Sequence, residues 1–413
     1  MADRERAAQG GRAKTGAARA ALIAAAVVLV SRLLTFVVAY HASFSAHLGT
    51  VPLRWRFPAR AEVFHGFFGH VLNPWAHWDG VWFLRIASNG YADPHSPAFF
   101  PLYPVAVRGV GWLFGGGFEL GGIVLSLAVF AGCCALLFAL VNADLGPRVA
   151  LLSVVYLALF PTSFFFQAIY SEGLFLLLTL ACFFFARDGR WWPAGLAGFL
   201  ATLTRSAGVL LVVPMLVYYF ERRDWRLART DARLFAVLLV PAALAAWMAY
   251  LWHAKGDALA FAHVQRDWGR AFAAVPLVVW EGVLEAVRGA HQLLWTSSGA
   301  GHPLQSAYFP PTANVLGLPF LVFALGALVA GIRRLPAAYT SYAFVSLPFY
   351  LSFPVRATPL LSLPRFVVVV FPLFVALAAV SERRRWLQAA IIAVFVLGLV
   401  LLTSRFAAFE WVA

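Results

Sequence analysis

Charge is scarce in this chain. Only 12% of its 413 residues are Asp, Glu, Lys or Arg, against 62% hydrophobic and 16% aromatic. A soluble domain carries about twice that share of charge, so the composition excludes a soluble enzyme and indicates many membrane spans. Cysteine is nearly missing. Cys133, Cys134 and Cys182 fall inside apolar runs, which excludes a disulfide framework and a zinc site. Also lacking are a Gly-rich nucleotide cradle, a dinucleotide fingerprint, a sequence repeat, a Gly/Ser linker and a soluble domain. The formal charge of +14 does not mark a nucleic-acid binder. Its basic residues sit in short clusters between apolar runs, as the positive-inside rule requires.

What is present is a series of apolar segments at roughly 20–41, 119–141, 149–166, 173–186, 192–204, 207–220, 233–252, 313–331, 337–353, 366–380 and 387–404. All are expected to be helices, because open sheet edges are not tolerated in lipid. The fold class read here is an all-α polytopic membrane protein of about eleven transmembrane helices, a single embedded domain over 20–413 preceded by a basic cytoplasmic tail over 1–19. The first run is too long for a signal-peptide core and reads as an uncleaved anchor. One segment, Phe99–Phe114, is apolar enough to cross but carries Arg108 mid-segment. If it lies flat as an interfacial helix, every basic cluster falls on one side, from Arg148 to Arg383–Arg385. That choice puts two long loops outside, about 42–118 and about 253–312. The unexplained polar residues then gather on one face, which has the character of an active site.

The first loop holds the most concentrated signal, Asn73-Pro74-Trp75-Ala76-His77-Trp78-Asp79-Gly80-Val81-Trp82-Phe83-Leu84-Arg85. Trp75, Trp78 and Trp82 recur at spacings of three and four, predicting an aromatic face on one short helix with Asp79 adjoining it. A carboxylate among indoles suits a general base, and indoles offer flat surfaces for sugar rings. The plainer account is an aromatic belt with Asp79 capping the helix or pairing with Arg85. Glu172, after Tyr170 and Ser171, is placed to cap a helix or to contact sugar or metal. Asp79, Glu172 and His77 together are a conceivable divalent-cation set, though their spacing is not diagnostic. In the second loop Gln265 and Trp268 could bind sugar hydroxyls and a ring face; an interfacial helix at about 259–273 explains them equally. His291 and His302 read as polar loop residues. Arg32, inside the first span, either snorkels inward or faces the bundle, with a structural role preferred.

The runs His77-Trp78-Asp79-Gly80-Val81-Trp82, Ile86-Ala87-Ser88-Asn89-Gly90-Tyr91 and Phe99-Phe100-Pro101-Leu102-Tyr103-Pro104 resemble the first outer loop of the PIG-V mannosyltransferases. Shorter later pieces fit too: Phe160–Phe164 leading to Tyr170-Ser171-Glu172, Leu203–Ser206, and Ser362–Phe366. The resemblance implies a GT-C architecture whose first outer loop bears the catalytic acid. It further implies transfer of a hexose, mannose by analogy, from a polyprenyl-phosphate sugar to a lipid or glycan acceptor on the non-cytoplasmic face. By that analogy Asp79 is the base, and Arg365, with Arg205 second, meets the leaving phosphate. Arg365 as a snorkelling interfacial residue and Arg205 as a packing ion pair with Glu172 are the bland readings. The expected binding set is His77, Trp78, Trp82, Arg85, Tyr103, Glu172, Arg205, Gln265, Trp268 and Arg365. The expected setting is a bacterial cytoplasmic membrane with the site facing outward, its partners the donor, the acceptor and membrane lipids, with no nucleic acid. Two rivals belong to other classes: a transporter or flippase of lipid-linked sugars, and a non-enzymatic assembly subunit. The first should show charges near mid-membrane in paired halves, and the second has no use for an acid in an aromatic loop.

Overall fold

A computed structural model describes residues 2–45, 57, 63–295, 312–356 and 358–412. Parts of both long loops, including His302, lie outside these residues. The described chain is helical, its extended pairing limited to isolated bridges from Arg270 to Val355 and Val355 to Thr358. The first helix, α1 (Ala2–Ser43), leads to three short helices, α2 (Gly66–Leu72), α3 (Asp79–Asn89) and α4 (Leu102–Trp112). Then come α5 (Phe118–Leu145), α6 (Pro147–Leu159), α7 (Glu172–Arg187), α8 (Trp191–Thr204), α9 (Val212–Glu221) and α10 (Leu239–Lys255). The chain closes with α11 (Ala260–His263), α12 (Val275–Trp295), α13 (Thr312–Gly331), α14 (Ala337–Leu351), α15 (Leu363–Val367), α16 (Pro372–Ser381) and α17 (Arg385–Ala407). Among the described residues four segments are long and apolar enough to cross a membrane unaided: 16–43, 118–145, 232–255 and 385–407. The protein is an all-α, multi-pass membrane protein. α4, at 11 residues, spans only about 16 Å, too short to cross, and Arg108 on it is exposed.

Several expected spans are broken rather than continuous. The helix expected to reach 166 stops at Leu159, because Pro161 disfavours helix at the residue before it and cannot donate within it. Residues 160–171 instead form a buried irregular segment beneath α3, with a 3₁₀ turn at Ser163–Phe166. Non-helical backbone at this depth must find partners inside the protein. Arg32 of α1 supplies them, donating to Ala158 O (3.0 Å), Ser163 O (2.8 Å) and Ser163 Oγ (2.8 Å). Thr35, one turn on, donates to Gln167 Oε1 (2.7 Å). Arg32 therefore faces the bundle, its charge spent on carbonyls that the ended helix leaves unpaired. The expected 366–380 span is likewise two helices, α15 and α16, separated at 368–371 ahead of Pro372.

Two expectations about the loops fail. No single helix covers 259–273; α11 is followed by a 3₁₀ turn at Val264–Arg266 and a chain that pairs with Val355. The substantial helix of that loop is α12, packed on α13. The three tryptophans also do not share one helix. Trp75 sits in a 3₁₀ turn (Asn73–Ala76), Trp78 is the residue before α3, and Trp82 alone lies on α3.

α7 orients the bundle. Its first residue is Glu172 and its last Arg187, so 16 residues separate two polar clusters by about 24 Å. At the Arg187 end, Arg187 pairs with Asp144, Tyr339 donates to Asp144 Oδ2 (2.7 Å), and Arg222 donates to the Arg187 carbonyl. The basic clusters at 187–190 and 222–229 thus share one end, and Glu172 marks the other.

Candidate functional site

Four helix ends meet around Glu172. Asp79 begins α3 and Glu172 begins α7, each a carboxylate in the first turn, where the helix dipole favours negative charge. Arg205 follows the last residue of α8, where the dipole favours a cation. Arg365 lies in the last turn of α15, behind Pro364. The four side chains form one chain of ion pairs. Arg365 donates Nη1 to Asp79 Oδ2 and holds Nε 3.1 Å from Glu172 Oε1. Arg205 donates Nη1 to the same Glu172 oxygen at 2.5 Å and to Ser171 Oγ at 3.3 Å. Glu172 is only 1% exposed, and both guanidinium groups lie against the same one of its oxygens. Burial opposes the charge on Arg365, yet Asp79 and then Glu172 hold its pKa above the ordinary arginine value.

The turn carrying Asp79 is strained and pinned. Trp78 takes φ 56°, ψ −119°, a conformation that non-glycine residues avoid. The Asp79 amide donates to the Tyr170 hydroxyl (3.2 Å), and that hydroxyl donates to His77 O (3.4 Å). Ile169 N donates to Trp75 O (2.9 Å). Residues 160–171 are thus a bed on which the Asp79 turn rests. Burial pushes the Tyr170 phenol well above its usual range, keeping it a neutral donor.

The remaining expected residues divide into three groups. His77 and Trp78 pack on the C-terminal segment: His77 Nδ1 meets Phe406 O at 3.3 Å and its ring lies 4.1 Å from Phe409, while Trp78 contacts Phe409 and Trp411. Burial pushes the His77 imidazole down to about 4. Trp82, Arg85 and Trp268 are gathered on the outward face of α3. The Trp82 ring stacks on Phe99 at 5.8 Å, meets Trp268 edge-on at 5.6 Å, and has Arg85 5.4 Å from its centroid. Tyr103 is buried against Phe83 and bonded to Ser126 Oγ at 2.9 Å, and Gln265 makes only a 3.5 Å contact to Phe261 O.

The divalent-cation set does not assemble. Among the described residues no three His, Cys, Asp or Glu side chains converge to hold a metal. Arg365 occupies the space between the two carboxylates, and His77 turns to a carbonyl.

A cavity of about 340 Å³ opens along α3 from Trp82 onward, one turn beyond Asp79, lined by Trp82, Arg85, Ile86, Asn89, Asp93 and Ser96 among others. Asp79, Trp82, Ile86 and Asn89 fall at i, i+3, i+7 and i+10, one face of the helix. The space is within the roughly 300–1,000 Å³ of small-molecule sites and pairs an aromatic wall with polar groups. The two outer loops meet over it, with His95 Nε2 3.9 Å from Asp267 Oδ2.

Sequence reasoning missed Arg270. Its guanidinium reaches the same cluster: the Arg205, Arg270 and Arg365 carbons lie 5.4, 5.7 and 5.4 Å from the Phe366 ring centroid. Nothing in the local sequence separates Arg270 from its neighbours Arg266 and Asp267. Only its bridge to Val355 carries it there.

The profile of the family described as "Mannosyltransferase (PIG-V)" matches residues 19–252. GPI alpha-1,6-mannosyltransferase 2 of Rattus norvegicus is 34% identical over 155 residues, covering 34% of this chain and 31% of that protein. The Homo sapiens protein of the same name is 34% identical over 152 residues, with the same coverages, and GPI mannosyltransferase 2 of Drosophila melanogaster is 34% identical over 161 residues, 36% of each. The chain thus aligns with about a third of the length of these curated relatives. In fold it is similar to ArnT from Cupriavidus metallidurans, crystallised with undecaprenyl phosphate, at TM-score 0.51 and 15% identity over 94% of this chain and 77% of that one. The architecture is GT-C-like.

Proposed function

The chain belongs to the PIG-V mannosyltransferase family, and from that premise we propose that it transfers a mannosyl group from a polyprenyl-phosphate donor to a lipid or glycan acceptor. The observation that supports this most directly is Asp79 itself: an ion-paired carboxylate on a strained helix start, beside an arginine cluster and on the same helix whose next turns line a cavity with an indole wall. The Asp79–Arg365 pair serves proton transfer and charge stabilisation together. An acceptor hydroxyl gives its proton to Asp79 while its oxygen bonds the anomeric carbon, the rest of the acceptor being held by the α3 cavity one turn away. The bond from that carbon to the phosphate oxygen breaks, and polyprenyl phosphate leaves with the electron pair. Protonation of Asp79 releases Arg365 to face the phosphate as its second negative charge develops.

The cluster lies at the end of α7 opposite the basic clusters, so the positive-inside rule supports a site on the non-cytoplasmic face of a bacterial cytoplasmic membrane. The test is incubation of purified protein with radiolabelled polyprenyl-phosphate mannose and a membrane extract. Labelled product is expected; its absence alongside unconsumed donor would remove the reading.

A further inference from the structure

The charges around Phe366 do not balance. Arg205, Arg270 and Arg365 bring three positive charges within 6 Å of one ring, and among the described residues only Asp79 and Glu172 pair with any of them. Both carboxylates are committed, Asp79 to Arg365 and Glu172 to Arg365 and Arg205. Among the described residues the Arg270 side chain bonds neutral acceptors only, Phe353 O at 3.0 Å and Ser362 Oγ at 2.6 Å. Burial and then Arg365 push its pKa down to about 10, which still leaves it charged at neutral pH. A half-buried cation held by a carbonyl and a hydroxyl gains by exchanging them for an anion, since charge-assisted bonds are about twice as strong.

Building on the donor reading above, we propose that Arg270, rather than Arg365, is the residue that binds the phosphate of the lipid-linked donor before transfer. The count of charges supports it. A donor phosphodiester carries one negative charge, which the surplus cation neutralises. After transfer the phosphate carries two, and Arg365, freed when Asp79 takes the acceptor's proton, supplies the second partner. The cluster is neutral at both stages only with Arg270 included. The cleft beside Arg270, lined by Tyr350, Phe353, Ser362 and Phe366, has room for about 10 Å³, one water. The phosphate therefore enters by displacing the Arg270 contacts to Phe353 and Ser362. Arg270 and Ser362 sit on separate chain segments, so these contacts can part without unwinding a helix.

The test uses the full chain in nanodiscs with decaprenyl phosphate as probe and decaprenol as the uncharged control. Wild type is expected to prefer the phosphate over the alcohol by about tenfold or more, the worth of one charged hydrogen-bond pair. Arg270→Gln should abolish that preference with decaprenol binding unchanged, which also shows the variant folded. Arg270→Lys, keeping the charge without the fork, should retain part of it and serves if the glutamine variant does not fold. A full preference in either Arg270→Gln or a misfolding-free Arg270→Ala overturns the assignment. If Arg365→Gln alone erases the preference, Arg270 is wrong while the donor reading stands. If wild type shows no preference, both fall.

Discussion

Asp79 and Arg365, 286 residues apart in the chain, form a direct carboxylate–guanidinium pair one helical turn before the cavity that opens along α3 at Trp82. One end of the pair starts a helix in the first loop and the other ends a short helix near the C-terminus. The pair sets what each partner can do. Arg365 is engaged by Asp79 Oδ2, and loss of the carboxylate charge would weaken that hold without removing the acceptor.

Asp79→Asn keeps a hydrogen-bond acceptor for Arg365 but removes the base. Transfer from radiolabelled polyprenyl-phosphate mannose should fall by roughly 100- to 10,000-fold. Size-exclusion profile and yield should match wild type. Turnover near the wild-type rate would take Asp79 out of the chemistry.

Glu172 is the shared partner of two arginines, so its loss should be felt first in stability. Glu172→Gln leaves Arg205 without its carboxylate and Arg365 with Asp79 alone, and breaking a buried pair costs about 3–5 kcal/mol. A clear drop in Tm of the purified protein is expected, larger than for substitution of an exposed pair such as Arg288→Gln. Equal Tm values would show that Glu172 carries no such load.

His77 should make the protein sensitive to mild acid. Burial first, against the opposing Phe406 bond, holds its folded pKa near 4, below the ordinary 6.5. The unfolded chain therefore binds a proton that the folded one refuses. Stability attributable to His77 is complete above about pH 6.5 and is lost as pH falls toward about 4, by roughly 3 kcal/mol in all. His77→Gln, which cannot titrate, should show a flatter Tm against pH over that window. Parallel curves for the two proteins would contradict the burial-driven shift.

Topology is open to labelling, because the three cysteines are buried and should stay silent. Ser96 is buried, so its exposed neighbour His95 is the better reporter. His95→Cys should react with an impermeant maleimide in intact cells, and Thr230→Cys, on the exposed basic loop, only after permeabilisation. The opposite pattern would invert the map and place Asp79 on the cytoplasmic side.

Sequence alone determined the helical, multi-pass character, and it singled out Asp79, Glu172, Arg205 and Arg365, which the structure brings together. These were legible because apolar run length, the distribution of arginine and charge at helix ends are local properties, written in neighbouring residues. Breaks at Pro161 and Pro372 were readable in principle, but hydrophobicity continues across them and masked the loss of helix.

Only the tertiary structure decided which charges meet. It turned His77 to Phe406, paired Asp79 with Arg365, set Arg32 against carbonyls that α6 leaves behind, and brought Arg270 to Phe366. Such pairings depend on the packing of segments hundreds of residues apart. In a low-dielectric interior each buried charge must find a partner there, and no local pattern names which one.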